Sequence, residues 1–224
     1  MHRQRAIFVV AVTVGLGYAW LRGGFVGAVS VPDAAQSPPA ASAGMETATF
    51  AAGCFWCAEA DFEKLAGVVT VTSGYSGGHV RNPTYKQVSR GGTGHVESVQ
   101  VVFDPARISY DALLDHFWHD VDPFVSNRQF CDVGDQYRAE IFVHTAAQRA
   151  AAEESKRRVQ QRFSTPVVVR ISDAGVFYPA ESYHQNYAKM HPVQYRFYRW
   201  TCGRDARLSQ IWGRQRDAGT HDDD

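Results

Sequence analysis

The sequence predicts an α+β fold: a two-layer ferredoxin-like sandwich with a mixed sheet, helices on one face and an irregular C-terminal extension. Three observations predict it. Apolar segments with strand and helix periodicity alternate in the order strand, helix, strand, strand, helix, strand, which is the split strand-helix-strand arrangement. The apolar fraction is 45% and charged residues are 21%, as in ordinary globular domains. The 224 residues, once an atypical N-terminal segment is set aside, suffice for one compact domain with a real core.

The elements follow in order. Thr47 to Ala51 reads as a short strand ended by Gly53. A helix from about Cys54 to Leu65 places Phe55, Ala58, Phe62 and Leu65 at helical spacing, and Gly67 stops it. Val68 to Tyr75 is a Val/Thr-rich strand running into the turn Ser76-Gly77-Gly78. A loop containing Asn82-Pro83 and Gly91-Gly92-Thr93-Gly94 leads to the strand Val96 to Phe103. Ser109 caps a helix with Tyr110, Leu113, Leu114, Phe117 and Val121 on one face. Ala139 to Val143 is a strand, Thr145-x-x-Gln148 opens an Ala-rich helix to about Phe163, and Pro166 to Ile171 is a further short strand. The remaining tail is aromatic and mainly helical or irregular.

The ends differ from this domain. Two arginines in Met1 to Arg5 precede the charge-free, apolar run Ala6 to Leu21, the pattern of a secretory signal peptide or signal anchor over residues 1–31. Residues 32–45, rich in Ala, Ser and Pro, cannot bury enough apolar surface to offset their ordering entropy and form a flexible linker. The catalytic domain is expected at 46–213, and residues 214–224 form a disordered acidic tail. The expected location is therefore exported: periplasmic, or membrane-anchored and facing the periplasmic or extracellular side. Lys plus Arg and Asp plus Glu both number 23, so no net field draws the chain to nucleic acid or anionic lipid. Any membrane contact runs through the N-terminal segment.

The chemistry concentrates in Gly53-Cys54-Phe55-Trp56-Cys57, where a strand gives way to a helix. A thiol there faces the positive end of the helix dipole, which favours the thiolate and makes Cys54 a candidate nucleophile. Glu97 shares the apolar face of its strand with Val99, Val101 and Phe103. Partial desolvation there would raise its pKa and keep it protonated, as a general acid requires; a solvated strand end is the competing reading. Four cysteines leave several pairings open. Cys54 and Cys57 could form a redox pair, any two could form a structural disulfide, and all four with Cys131 and Cys202 could hold zinc, although two widely separated singles fit a zinc site poorly. His116 and His119, three apart on a helix, read as surface histidines rather than a metal pair, and His79 and His95 as loop hydrogen-bonding residues.

Six segments occur in an order and spacing that resemble the methionine sulfoxide reductase A family. They are Gly53-Cys54-Phe55-Trp56, Gly74 to Gly78, Asn82-Pro83-Thr84-Tyr85, Gly94-His95-Val96-Glu97, Asp132 with Gln136-Tyr137-Arg138, and Tyr183-His184-Gln185. The resemblance implies that Cys54 attacks the sulfoxide sulfur, Phe55 and Trp56 receive the substrate methyl group, and Glu97 protonates the sulfoxide oxygen. It further implies that Tyr85 and Tyr137 hydrogen-bond that oxygen and that Asp132 organises the pocket. Reduction of the S epimer of methionine sulfoxide would leave Cys54 as a sulfenic acid, which a second thiol closes into a disulfide for an external dithiol, thioredoxin-like or membrane-relayed, to reduce. No bound metal or organic cofactor is implied, and the partners would be oxidised proteins or peptides. Two positions depart from the family pattern: Cys57 stands where Gly is usual, and Cys131 precedes Asp132 where a polar residue is expected. The resolving thiol is Cys202, by the family's habit of keeping it in the C-terminal tail, with Cys57 the alternative. Competing readings are a thiol-disulfide oxidoreductase using Cys54 and Cys57, and a binding domain stapled by two disulfides.

Overall fold

The computed structural model describes residues 44–213, so the expected signal segment, most of the linker and the acidic tail lie outside the described residues. The order is β1 (Glu46–Ala52), α1 (Phe55–Phe62), β2 (Val68–Ser76), α2 (Tyr85–Ser89), β3 (Val96–Phe103) and α3 (Tyr110–His119). A small hairpin of β4 (Arg128–Gln129) and β5 (Asp132–Val133) and a 3-10 turn, Asp135–Tyr137, come next. They are followed by β6 (Ala139–Val143), α4 (Ala146–Arg162), β7 (Arg170–Asp173) and β8 (Tyr178–Pro179). The chain closes with a second 3-10 turn, Ser182–His184, and α5 (Tyr187–Met190), α6 (Pro192–Cys202) and α7 (Arg204–Trp212).

The main sheet runs β7-β6-β1-β3-β2-β8. Its four central strands, in the spatial order fourth, first, third, second, are the ferredoxin-like sandwich that the element order predicts. Every pairing is antiparallel except β6 with β7, which makes the sheet mixed. The period-2 pattern sends Ala48, Phe50 and Ala52 of β1, Val99, Val101 and Phe103 of β3, and Ile141 and Val143 of β6 into one core. There Phe50 stacks on Phe62 of α1 and Phe117 of α3, with centroids 5.0 and 5.3 Å away. The opposite face carries only a small cluster of Ala51, Val96 and Phe142.

Several local expectations need correction. The Asn82-Pro83 loop contains α2, started by Gln87, whose side-chain oxygen accepts from the Thr84 N–H at 2.9 Å. The strand expected at Pro166 to Ile171 forms later. Val167 gives its N–H to the Gln160 side chain and Val168 gives its N–H to the Pro123 carbonyl, so neither is free for the sheet. The extension, read as mainly helical or irregular, is largely helical, in α5, α6 and α7. His116 and His119 are half-buried rather than on the surface. His116 packs edge-on against Phe62 and His119 lies against Trp212, because α3 is covered by α1 and α7. His95 ties its loop together, contacting the Val80 carbonyl at 2.7 Å and accepting from the Gly78 N–H. Among the described residues no helix is long and apolar enough to cross a membrane.

Candidate active site

The site forms where β1 ends and α1 begins. Gly53 makes the corner with φ +83°, and an added Cβ would lie 2.5 Å from the Gln129 Cβ, so only glycine fits there. Cys54 is the N-cap of α1 and is 5% exposed. The β1–β3 register pairs Phe50 with Val99; carried two residues on, it brings Glu97 to the level of Ala52, beside the corner. Glu97 is 3% exposed and its Oε2 accepts from the Phe55 N–H at 3.0 Å.

That bond corrects one expectation. The sequence sets the Cys54 thiol at the positive end of the helix dipole as a favoured thiolate, but the first N–H of α1 is given to Glu97, and the Cys54 side chain makes no cap hydrogen bond. Burial, followed by the interaction with Cys57, holds the Cys54 thiol well above its ordinary pKa. Cys54 therefore rests protonated before substrate arrives. Glu97 behaves as its apolar face predicts. Burial pushes it up to about 8, against the lowering effect of the Phe55 N–H, so it carries a proton at neutral pH.

The two phenols are brought to the same place from different elements. Tyr85 opens α2, and its backbone N–H donates to Glu181 Oε1 at 2.8 Å, while Glu181 Oε2 accepts from the buried Tyr75 hydroxyl. Tyr137 ends the first 3-10 turn. Arg138 fixes that turn, donating to Glu140, to Asp135 and to the Gly94 carbonyl. Gln136 donates to the Ser89 carbonyl and so links the turn to the helix carrying Tyr85. Burial raises both phenols, Tyr85 to about 12, and both feel the charges of Glu97 and Cys54. They remain neutral hydrogen-bond donors.

Asp132, in β5, accepts a 2.5 Å hydrogen bond from the Tyr198 hydroxyl, and burial raises its pKa. Tyr198 also packs against the cluster that holds Cys54 and presents its ring edge to Trp56, with centroids 5.9 Å apart. Trp56 is fixed from two further sides. Tyr187 stacks on it at 3.8 Å, and its Nε1 donates to His184 Nδ1 at 3.1 Å. Burial lowers His184 to about 4, so the ring is neutral and accepts at Nδ1. Phe55, 1% exposed, completes the apolar wall.

The four cysteines fall into two pairs. Cys54 and Cys57 are free and buried in one cluster with Tyr195. Cys131 and Cys202 form a disulfide that closes 71 residues of sequence, at the C-terminal end of α6. Only one bridge exists among the described cysteines, where the stapled-domain reading requires two. The Cys131, Cys202 and Asp132 donor atoms lie within 4.8 Å of one another, with both sulfurs occupied by their mutual bond. Nothing in the sequence paired Cys202 with Cys131.

Four contributors went unread in the sequence. His184 sits within a quoted motif, and Glu181 lies just before it. Tyr198 is one aromatic among many in the tail. Arg204 follows the α6–α7 corner, is 1% exposed, pairs with Asp120 at 2.8 Å and donates to the Ala52 carbonyl.

A buried thiol beside a protonated carboxyl, two neutral phenols and an apolar aromatic wall defines a thiol-dependent oxidoreductase. The family model described as peptide methionine sulfoxide reductase matches residues 46–216, and the chain belongs to that family. Its reaction is the reduction of methionine sulfoxide. The chain is 48% identical over 174 residues to "Peptide methionine sulfoxide reductase MsrA" of Bacillus licheniformis, covering 77% of this chain and 96% of that one. It is also 48% identical over 180 residues to "Peptide methionine sulfoxide reductase MsrA 2" of Caulobacter vibrioides, covering 80% and 91%. Among solved structures, Mxr1 from Saccharomyces cerevisiae in reduced form superposes with TM-score 0.65 at 31% identity, covering 70% of this chain and 90% of that one. Methionine sulfoxide reductase A of Corynebacterium diphtheriae gives TM-score 0.62 at 32% identity, covering 68% and 77%.

Proposed function

We propose that the chain reduces the S epimer of methionine sulfoxide in oxidised proteins and peptides, as repair of oxidative damage outside the cytoplasm. The observation that carries this reading is the protonated Glu97 joined through the Phe55 N–H to the residue after the Cys54 thiol. Tyr85 and Tyr137 donate to the sulfoxide oxygen, and Phe55 with Trp56 receives the methyl group. Glu97 passes its proton to the oxygen as the Cys54 sulfur bonds to the electrophilic sulfoxide sulfur. The proton leaving Cys54 restores Glu97 to its acid form. The hydroxyl then passes from the substrate sulfur to the Cys54 sulfur as the bond between the two sulfurs breaks, giving methionine and Cys54 sulfenic acid. Asp132 and Tyr198 hold the pocket on its other side.

A second thiol, Cys57 or Cys202, then closes the sulfenic acid into a disulfide, and an external thioredoxin-like or membrane-relayed dithiol reduces the protein again. The basic tip and apolar run within residues 1–31 support export, with membrane contact confined to that segment. No bound cofactor takes part in this scheme.

The test is single-turnover reduction of each epimer of a methionine sulfoxide peptide by the pre-reduced protein, beside Cys54→Ser and Glu97→Gln. Methionine is expected from the S epimer alone, absent in Cys54→Ser and slowed in Glu97→Gln. A folded wild-type protein with intact thiols that forms no methionine would overturn the proposal.

A further inference from the structure

We infer that Cys131, Cys202 and Asp132 form a metal site of the reduced chain: once the bond between the two sulfurs is open, both thiolates and the carboxylate take a thiophilic divalent cation of the zinc type. The site goes beyond the proposed reduction of methionine sulfoxide and does not depend on it.

Along the sequence Cys131 and Cys202 are widely separated singles, a poor zinc pattern. The fold removes that objection. It brings both sulfurs and a carboxylate oxygen of Asp132 within 4.8 Å of one another, the only group of three such donors among the described residues. Tetrahedral zinc, with Zn–S of about 2.3 Å and Zn–O of about 2.0 Å, sets its ligand atoms about 3.5–3.8 Å apart, inside that spacing. Two thiolates beside one carboxylate favour zinc over the harder magnesium or calcium, which take oxygen ligands.

Contacts other than the disulfide hold these ligands in place. Cys131 and Asp132 lie at the turn of the β4–β5 hairpin, where buried Gln129 accepts from the Asp122 N–H at 2.8 Å and donates to the Asp122 carbonyl at 2.9 Å. Phe130 makes the turn with φ +52°; its carbonyl accepts from Arg128, and the Arg204 guanidinium lies over its ring at 4.6 Å. Arg204 is two residues beyond Cys202 and is itself fixed by Asp120, so the end of α6 stays against the hairpin. The ligands also have outer partners, which orient metal ligands. The Cys131 N–H donates to Cys202 Sγ at 3.2 Å, and the Tyr198 hydroxyl occupies Asp132 Oδ2, leaving Oδ1 for the metal. A cavity of about 380 Å³ opens at Cys202 and leaves room for water as the fourth ligand. Binding releases the two thiol protons and changes no oxidation state. The disulfide form has no thiolate to offer, so the redox state of the pair gates the site, and the bound cation shields both sulfurs from alkylation and oxidation.

The test is titration of the full chain carrying Cys54→Ser and Cys57→Ser, reduced and then freed of reductant without air, with Co²⁺ followed by Zn²⁺. One Co²⁺ per chain is expected, with a sulfur-to-cobalt charge-transfer band that one equivalent of Zn²⁺ abolishes. Adding Cys131→Ser should remove about half of the band, and adding Asp132→Asn should keep the band but weaken binding by about tenfold or more. The disulfide form should show no band. In reduced wild type, which needs no substitution, Zn²⁺ should protect Cys131 and Cys202 from iodoacetamide, as mapped by peptide mass spectrometry. Absence of the band, a band that Cys131→Ser leaves unchanged, an affinity that Asp132→Asn leaves unchanged, or equal alkylation of wild type with and without Zn²⁺ overturns the site. None of these readouts uses methionine formation, so their failure leaves the proposed reaction standing, and failure of that reaction leaves the metal site.

Discussion

Replacing Glu97 by Gln tests the acid directly and has two coupled consequences of opposite sign. The amide is the shape of the protonated carboxyl, and its oxygen can keep the Phe55 N–H bond, so α1 retains its first hydrogen bond. What disappears is the transferable proton. Loss of a positioned general acid lowers rates by roughly 10²–10⁴, or about 3–5 kcal/mol of barrier. The wild-type rate should fall as pH rises through about 8, where Glu97 loses its proton, and the variant should lack that limb. Stability moves the other way. Because folding raises the Glu97 pKa, its burial costs nothing below the ordinary carboxyl value of 4.5. The cost grows as pH rises from there and levels off above about 8. At about 1.4 kcal/mol per pH unit the penalty is about 3 kcal/mol at pH 7 and under about 1 kcal/mol at pH 5. Glu97→Gln should therefore melt roughly 6–12 °C higher than wild type at pH 7 and nearly level with it at pH 5. Single-turnover methionine formation from pH 6 to 9.5 and thermal melts at the two pH values measure both effects. A variant within threefold of wild-type rate, or one whose stability gain does not grow between pH 5 and 7, would refute the reasoning.

Other perturbations follow from the same contacts. Arg204→Met removes a buried cation and leaves Asp120 and the Ala52 carbonyl without it; a loss of about 3–5 kcal/mol is expected in urea unfolding, and a change below about 1 kcal/mol would count against the pairing. Tyr198→Phe deletes the hydroxyl that donates to Asp132 and that lowers the Cys54 pKa, so the resting Cys54 thiol should titrate still higher. The pH dependence of iodoacetamide alkylation in a Cys57→Ser background reads this, and an unchanged or lower midpoint removes Tyr198 from that role. Trp56→Phe removes the donor to His184 and should raise KM for the peptide substrate several-fold more than it lowers kcat, whereas an effect on kcat alone would contradict its place in the wall.

Much of the fold was legible because local rules and tertiary demands agree. Phe50, Val99, Val101 and Phe103 alternate along strands and are buried on one face, while Ser109 caps α3 through the Ala112 N–H as its position suggests. Disagreement arose where a backbone group found a non-local partner. Val168 is held by Pro123, far away in sequence, and the strand after α4 begins late as a result. Similarly, the segment read as a loop around Asn82-Pro83 holds the short helix α2, whose start is fixed by Gln87 accepting from the Thr84 N–H.

The sequence by itself determined the family and marked a candidate nucleophile at a strand-to-helix corner and a candidate acid on an apolar strand face, because each depends on short-range pattern and residue chemistry. The tertiary structure alone decided three things. It gave the first N–H of α1 to Glu97, brought Tyr198 of α6 onto Asp132 and His184 of the second 3-10 turn onto Trp56, and joined Cys202 to Cys131 across 71 residues. The physical reason is common to all three. Hydrogen-bond partners, burial and sulfur pairing are properties of groups that meet only when β1, β3, the β4–β5 hairpin and α6 converge, and no local spacing encodes which of several competent partners arrives.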